Sequence, residues 1–252
     1  MSKPIEIAGP IDWPDPGQIP AIQPVHDLVV VWRIDLDHGI DPADDTTEPG
    51  DDLTVLSADE RTRAARFVRA RDRRRFARCR ASLRQILGEC LGRDPASLAF
   101  AAGGHGKPLL APEPGGTTHA TRFNVSHSAG LALIAVGQDH ELGVDLERIR
   151  PITEMDRIIE NYFTPDEFAS FRALTETQRA MTFARGWTRK EAIMKARGVG
   201  LAGLSSGAAT GFGEGSLMPR FTPSGMVVGF AIWEAAVAPG FVAALAVEAA
   251  TM

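Results

Sequence analysis

The order of the predicted secondary-structure elements is the feature that most constrains this chain of 252 residues. A strand, a helical region and further strands follow one another twice along the sequence. Chains in which runs of strands and runs of helices are segregated in this way form α+β folds. We therefore predict two α+β halves, residues 28–128 and 129–252, that follow an irregular, proline-rich extension over residues 1–27.

In the first half, Leu28–Leu36 is rich in β-branched residues and predicts a strand. Ser57 and Glu60 have the spacing of a capping box, which begins a helix, and Gly92 ends a second helix. The apolar residues of this second helix recur every three or four positions and predict one buried stripe: Phe76, Cys79, Leu83, Ile86, Leu87 and Cys90.

Short apolar segments at 98–100, 122–128, 131–136 and 142–147 predict strands between the two helical regions. A second set of helices follows, with a start signature at residues 164–167 and one long helix over residues 176–197. The runs 226–236 and 241–249 predict an antiparallel hairpin that turns at Pro239–Gly240.

Composition excludes several classes of protein. Apolar residues make up 44% of the chain and charged residues 23%, which is typical of a globular protein. No apolar run approaches the roughly 20 residues of a membrane span, and the N-terminus lacks the apolar stretch of a secretory signal, so we expect a cytoplasmic protein. The two cysteines, Cys79 and Cys90, form no metal-binding or disulfide pattern.

The charges are strongly segregated along the sequence. Residues 1–60 have a net charge of −12, whereas residues 61–84 contain eleven arginines against Asp72 alone and have a net charge of +10. A charge run is usually a solvated helix face. Arginine, however, binds phosphate groups through two parallel hydrogen bonds. The arginine-rich segment therefore predicts a polyphosphate ligand, a nucleic acid or an acidic partner protein.

Three carboxylates suggest a metal site. Asp145 and Glu147 are two positions apart in a predicted strand, so they share one face of it. Glu191 and Lys195 are one turn apart on the predicted long helix, with Trp187 on the same face one turn earlier. Carboxylates from a strand and a helix together would provide oxygen ligands, which suit Mg²⁺ better than zinc or iron.

Two further residues favour a polyanionic ligand. Lys107 lies in the glycine-rich segment GGHGKPLL, whose backbone amides can approach an anion closely. His127 ends the predicted strand FNVSHS. Together with Lys195 and the arginines, these side chains suit a ligand with several phosphate groups.

Four motifs resemble a known family in order and spacing: GKP at 106–108, FNVSHS at 123–128, GVDLE at 143–147 and WTRKEAIMKARGVGL at 187–201. They resemble the 4′-phosphopantetheinyl transferases of the surfactin-synthetase-activating (Sfp) type, over about residues 50–205. The resemblance implies a monomer of two similar α+β halves in a pseudo-twofold arrangement, with coenzyme A and Mg²⁺ bound in the cleft between them.

The resemblance also assigns roles to individual residues. It implies that Mg²⁺ is held by Asp145, Glu147 and Glu191. It implies that coenzyme A is bound by Lys107, Ser126, His127 and Lys195, with Arg63 and Arg75 near the 3′-phosphate or adenine end.

The family reaction transfers the phosphopantetheine arm of coenzyme A to a serine of an apo acyl or peptidyl carrier protein and releases adenosine 3′,5′-bisphosphate. We expect Glu191 to accept the serine proton, directly or through water, and Lys195 to offset charge on the leaving phosphate or to protonate it. Carrier proteins of this kind are acidic, so part of the arginine-rich segment is expected to face the partner. Neither a nucleic acid nor a membrane is expected as a partner.

Two other functions fit some of the same residues. A metal-dependent phosphodiesterase or nuclease would also use paired acids, a lysine and a basic helix. A non-catalytic module that binds nucleic acid or an acidic protein through residues 61–84 would leave the three carboxylates as ordinary surface groups.

Overall fold

The computed structural model describes residues 5–13, 27–103, 106–111, 120–200, 209–213, 216–227 and 229–249. The strands are β1 (Glu6–Asp12), β2 (Leu28–Asp35), β3 (Phe100–Ala102), β4 (Pro108–Leu110), β5 (Thr121–Ser128), β6 (Leu131–Gln138), β7 (Leu142–Arg148), β8 (Thr222–Val227), β9 (Phe230–Ala238) and β10 (Phe241–Glu248). The α-helices are α1 (Ala58–Ala65), α2 (Ala70–Leu91), α3 (Met155–Tyr162), α4 (Pro165–Arg172) and α5 (Glu176–Arg197). No helix in these described ranges is long and apolar enough to span a bilayer.

The strands form two four-stranded sheets and the small β3–β4 hairpin. The strand order is β1-β2-β6-β5 in the first sheet and β7-β10-β9-β8 in the second. The strands β2-β6-β5 and β7-β10-β9 have the same connectivity: the last strand of each half lies between the other two and is antiparallel to both. This repeated topology, with helices inserted after β2 and after β7, agrees with the predicted pair of similar α+β halves.

Each half also has one long helix. Helices α2 and α5 both contain 22 residues, and each is followed by a glycine in the left-handed conformation, Gly92 at φ 63° and Gly198 at φ 65°. Glycine adopts this conformation without the steric cost that a Cβ atom adds, so it ends a helix efficiently. Both helix ends were predicted from the sequence.

The molecule has four layers, in the order α2, first sheet, second sheet, α5. Helix α2 packs Leu83 and Leu87 against Trp32 and other residues on one face of β2, and both cysteines lie in or against this cluster as predicted. The opposite face of β2 carries Val29 and Val31, which pack in the central core together with β7, β9 and β10. Since side chains alternate along β7, Val144 and Leu146 enter this central core. Asp145 and Glu147 therefore lie on the face toward α5.

The sequence predicted an irregular segment over residues 1–27, but Glu6–Asp12 forms β1 and pairs in parallel with β2. Ile5 and Ile7 pack against the central core, which explains why this segment is ordered as a strand. The pairing register shifts between Ala8 and Ile11, where Pro10 has no N–H to donate. Residues 1–4 and 14–26 of the predicted segment lie outside the described residues.

The predicted division at residues 128 and 129 lies inside a hairpin. Ala129–Gly130 is the short turn between β5 and β6, and β6 pairs with β2 and β5 in the first sheet. The sheets therefore divide between β6 and β7, at residues 139–141. The predicted strand over residues 226–236 likewise contains a turn, because β8 ends at Val227 and β9 begins at Phe230.

Gly143 allows α5 to lie directly on β7. A Cβ atom at this position would be 2.1 Å from the Ala192 carbonyl oxygen and 2.4 Å from the Ala196 backbone nitrogen. Both are backbone atoms, so a larger residue would have to separate the helix from the strand. The glycine of the GVDLE segment therefore fixes the distance between the carboxylates of β7 and the side chains of α5.

We predict that Gly143→Ala lowers the free energy of unfolding by about 2 kcal/mol, the usual cost of overpacking a dense interior. Urea denaturation measures the change. Gly137→Ala in β6 is the matched control, because the two closest neighbours of its Cβ atom would be side-chain methyl groups, at 3.0 and 3.1 Å, which can move. The backbone atom nearest to it, the Leu28 carbonyl oxygen, would be at an ordinary contact distance of 3.8 Å. Equal stabilities for Gly143→Ala and the unchanged chain would contradict the prediction.

Candidate active site

The carboxylate of Asp145 is the most buried acidic group of the candidate site. The residue is 4% exposed, and its Oδ1 atom accepts hydrogen bonds from Lys195 Nζ at 2.7 Å and from Ser126 Oγ at 2.9 Å. Its Oδ2 atom is buried without a hydrogen-bond partner among the described residues. A buried carboxylate oxygen without a partner is costly, so this atom is suited to a ligand.

Glu147 and Glu191 share the electrostatic environment of Asp145. Burial, and then the negative charge of Asp145, raises the pKa of Glu191 to about 7, and Lys195 only partly opposes this shift. Burial and the charge of Asp145 also raise the pKa of Glu147. Lys195, one helical turn after Glu191 on α5, bonds directly to Asp145 on β7. This contact, together with the two raised pKa values, indicates that the β7 and α5 carboxylates form one cluster.

The chemistry of this cluster fits a hard divalent cation. All of its donor atoms are carboxylate oxygens, one of them unpartnered, and a cation would favour the ionised form of all three acids. Within the described ranges, however, no three acidic, histidine or cysteine side chains are already arranged as ligands around one point. Binding of an ion would therefore draw the carboxylates together, in competition with Lys195 for Asp145.

Strands β5 and β7 are edge strands of different sheets, and side chains join them. Alternate side chains of β5 accept hydrogen bonds from alternate backbone N–H groups of β7: Asn124 from Val144 at 2.9 Å, Ser126 from Leu146 at 3.2 Å and Ser128 from Arg148 at 3.2 Å. A usable sign of this seam is present in the sequence, since every second residue of FNVSHS is polar and short. We did not assign a role to Asn124 or Ser128 from the sequence.

The other face of β5 borders a cavity of about 660 Å³ next to α1 and α2. Its lining includes Arg63, Phe67, Arg75 and His127. Desolvation by the surrounding protein lowers the pKa of His127, and the positive charges of Lys195 and Arg63 lower it further. These effects favour the neutral form of the imidazole. His127 is therefore influenced both by Arg63 of the cavity and by Lys195 of the carboxylate cluster.

The two cavity arginines are held differently. Arg75 donates from Nε to Asp37 Oδ1 at 2.9 Å and from Nη2 to Asp37 Oδ2 at 2.5 Å, so a buried carboxylate fixes its guanidinium. Arg63 is exposed, and its guanidinium carbon lies 5.4 Å from the ring centre of Phe76. The structure thus brings Arg63, Arg75 and His127 to one cavity.

Several of the other arginines of residues 61–84 form ion pairs with acidic residues of the negatively charged segment 1–60. Their ion pairs are Arg73 with Glu48 at 2.8 Å, Arg74 with Asp37 at 3.6 Å, and Arg80 and Arg84 with Glu60. The opposite charges that are segregated in sequence therefore neutralise each other in the fold. Arg66 and Arg69 are exposed and have no carboxylate within 4.0 Å in the part of the chain that the structure describes.

Lys107 lies apart from this cavity. Its Nζ atom donates to Glu141 Oε2 and the Leu142 carbonyl oxygen, both at 3.2 Å, and to the Ala196 carbonyl oxygen at 3.4 Å. It therefore ties the glycine-rich segment to the start of β7 and the end of α5. Its neighbours Gly106 and Pro108 line the cavity, but its own ammonium group does not.

A buried charge network supports α5 behind Glu191, and the sequence did not identify it. Lys190 is 1% exposed and lies 3.6 Å from Glu167, which also accepts hydrogen bonds from the backbone N–H groups of Thr210 and Gly211. Trp187, one turn before Glu191 on α5, packs against Phe183, with their ring centres 6.0 Å apart. Buried ion pairs of this kind fix the rotation of a helix when all partners are satisfied.

Two family models match adjoining parts of the chain. The model for the 4′-phosphopantetheinyl transferase N-terminal region matches residues 48–139, and the model for the 4′-phosphopantetheinyl transferase superfamily matches residues 141–218. The junction between the two matches coincides with the division between β6 and β7. The boundaries of the two family matches and the sheet topology therefore agree on where the halves meet.

Curated relatives carry the same description. The 4′-phosphopantetheinyl transferase HetI of Nostoc sp. is 38% identical over 73% of this chain and 75% of its own length. The 4′-phosphopantetheinyl transferases psf-1 of Bacillus pumilus and ffp of Bacillus subtilis are 32% and 27% identical. The alignments cover 60% of this chain in both cases, and 62% of psf-1 and 63% of ffp, so the chain spans less than two thirds of these two relatives.

These matches confirm the predicted transferase class and give no support to a nuclease or to a non-catalytic binding module. The two models together match residues 48–139 and 141–218, a part of each half. These parts include β5, β7 and α5, which carry the carboxylate cluster. The chain belongs to the 4′-phosphopantetheinyl transferase superfamily and is an enzyme of this class.

Proposed function

We propose that this chain transfers the 4′-phosphopantetheine arm of coenzyme A to a serine of an apo acyl or peptidyl carrier protein in a Mg²⁺-dependent reaction. The observation that carries the proposal is the position of β5 between two complementary sites. One face of this strand borders the arginine-lined cavity, and the other face contacts the carboxylate cluster. A ligand that carries a nucleotide and a pyrophosphate could extend from the cavity to the carboxylate cluster past His127.

The cavity suits the nucleotide end of coenzyme A. Arg63 is exposed at the rim of the cavity, so its guanidinium group can donate to phosphate oxygens. Asp37 accepts from Nε and Nη2 of Arg75 and orients this guanidinium group, whose remaining N–H groups can also donate to a phosphate. His127 and Ser126 then lie next along β5, toward Lys195. This order places the pyrophosphate beside Lys195 and the carboxylates. Lys107 can contribute only if its present hydrogen bonds are exchanged.

Asp145, Glu147 and Glu191 are the residues that would hold Mg²⁺ in this proposal. The bound ion would neutralise part of the pyrophosphate charge, which is the main requirement of phosphoryl transfer. Two of the carboxylates lie on β7 and the third on α5, and the two elements touch at Gly143. The distances between the carboxylates therefore depend on how α5 packs against β7.

The remaining chemistry is a proton transfer and a charge change. The serine oxygen forms a bond to the β-phosphorus of coenzyme A while the bond from that phosphorus to the bridging oxygen breaks, and adenosine 3′,5′-bisphosphate leaves. We assign the serine proton to the Glu191 carboxylate, directly or through water. Lys195, whose ammonium group lies in the cluster, would offset the negative charge that develops on the leaving phosphate.

Carrier protein domains are the proposed partners, and the protein is proposed to act as a cytoplasmic monomer. Arg66 and Arg69 are exposed on either side of Val68, which is 95% exposed at the turn between α1 and α2. An apolar side chain between two arginines would suit an acidic helical surface. We therefore place part of the carrier contact at this turn, with neither nucleic acid nor membrane involved.

Glu191→Gln tests the proposed reaction. With coenzyme A, Mg²⁺ and an apo carrier domain, mass spectrometry should show the unchanged enzyme adding one phosphopantetheine group to the carrier. The variant should lower the rate by about 100-fold or more, because general-base help is typically worth 10²–10⁴-fold. Glu176→Gln, an exposed change in the first turn of the same helix, should keep the rate within about twofold.

A near-normal rate for Glu191→Gln would remove this residue from the reaction. Failure of the unchanged enzyme to modify any of a panel of acyl and peptidyl carrier domains would contradict the proposed substrate class.

Arg63→Ala tests the position of the nucleotide. We expect it to raise the KM for coenzyme A by about tenfold, since a hydrogen bond to a charged group contributes about 1.5–3 kcal/mol. If Arg63 binds the 3′-phosphate, the KM for dephospho-coenzyme A should change little. The exposed Arg157→Ala on α3 serves as control. Equal effects of Arg63→Ala on both ligands would place Arg63 away from the 3′-phosphate.

A further inference from the structure

Ser128 makes two hydrogen bonds through its hydroxyl group, one as acceptor and one as donor. Its Oγ atom accepts from the backbone N–H of Arg148 at 3.2 Å, and its hydroxyl proton is directed to Glu147 Oε2, also at 3.2 Å. A serine hydroxyl has a single proton to donate. The bond from Arg148 therefore favours the hydroxyl orientation in which that proton faces Glu147.

Glu147 needs such a partner more than Asp145 does. Asp145 already accepts from Lys195 and Ser126, whereas Ser128 is the one hydrogen-bond donor that the described part of the chain gives to the Glu147 side chain. A glutamate has three rotatable side-chain bonds, and repulsion from Asp145 favours rotamers that turn away from the cluster. A neutral donor fixed on a neighbouring strand opposes that rotation.

From these contacts we infer that Ser128 is a positioning residue that holds the Glu147 carboxylate ready for the divalent cation. The inference rests on the proposed metal site. It adds a function to the seam between β5 and β7: the seam not only joins the two sheets but also sets the direction of a metal ligand. Groups that orient metal ligands in this way commonly change metal affinity by about 10- to 100-fold when removed.

Asn124 provides a natural comparison on the same seam. Its side-chain oxygen accepts from the backbone N–H of Val144 at 2.9 Å, as Ser128 accepts from Arg148. No hydrogen bond in the described structure links Asn124 to a carboxylate of the cluster. Loss of the Asn124 side chain therefore weakens the seam alone, whereas loss of the Ser128 hydroxyl also releases Glu147.

The experiment measures Mn²⁺ binding to the metal-free protein by electron paramagnetic resonance, with Mn²⁺ as the probe. We expect Ser128→Ala to weaken Mn²⁺ affinity by about tenfold. Ser128→Thr keeps the hydroxyl on a residue that strands tolerate well, so its affinity should stay within about threefold of the unchanged protein. Asn124→Ala should lower stability to urea while its Mn²⁺ affinity also stays within about threefold.

Two comparisons, one with a double variant and one between single variants, separate this inference from the metal site itself. Glu147→Gln should weaken Mn²⁺ binding, and Ser128→Ala added to it should cause no further loss, because the hydroxyl acts through Glu147. If Asp145→Asn abolishes Mn²⁺ binding but Ser128→Ala leaves it unchanged, the metal site stands and the inference is wrong. Mn²⁺ binding that none of the carboxylate variants alters would refute both.

Two other results would also overturn the inference. Equal loss in Ser128→Ala and Ser128→Thr would mean that the hydroxyl is not the group that matters. Equal loss in Asn124→Ala would assign the effect to the seam as a whole rather than to the contact with Glu147.

Discussion

The seam between β5 and β7 is the contact on which the site depends. These strands are edges of different sheets, and an edge strand carries unpaired backbone groups that must find partners. Here the side chains of Asn124, Ser126 and Ser128 supply acceptors at the spacing of the β7 N–H groups. The two halves are thereby held in a register in which the arginine-lined cavity and the carboxylate cluster share one strand.

Packing and charge then act on the same cluster. Gly143 lets α5 approach β7 so closely that Lys195 bonds to Asp145 and the charge of Asp145 acts on Glu191, one turn earlier on the helix. The approach also removes the carboxylates from water, and this burial, followed by repulsion from Asp145, raises the pKa of Glu147 and of Glu191. The cluster therefore concentrates negative charge that a divalent cation would stabilise, and Lys195 neutralises part of it.

Much of this could be predicted from the sequence, because the relevant information is local. The capping box at Ser57, the terminating glycines of both long helices and the alternation of β7 each depend on neighbouring residues, and the structure has them as predicted. The pattern of DxE on a strand and ExxxK on a helix was sufficient to suggest a shared site. Family resemblance added the roles.

What could not be predicted depends on contacts between distant segments. The arginine-rich segment suggested an open cationic surface, but Asp37 and Glu60 neutralise several of its members through bonds that sequence order does not reveal. Lys107 lies in a glycine-rich segment that suggested an anion-binding loop, yet its ammonium group bonds to the start of β7 and the end of α5. The boundary of the halves was misplaced because a two-residue turn and a domain junction interrupt an apolar pattern in the same way.

The central claim is that Asp145, Glu147 and Glu191 share one divalent cation. A crystal structure of the protein with coenzyme A and Mg²⁺ measures this directly. The account predicts one ion about 2.1 Å from an oxygen of each carboxylate, the usual Mg²⁺–oxygen distance, and in contact with the pyrophosphate. An ion bound to the pyrophosphate while Asp145, Glu147 and Glu191 remain turned away from it would contradict the account.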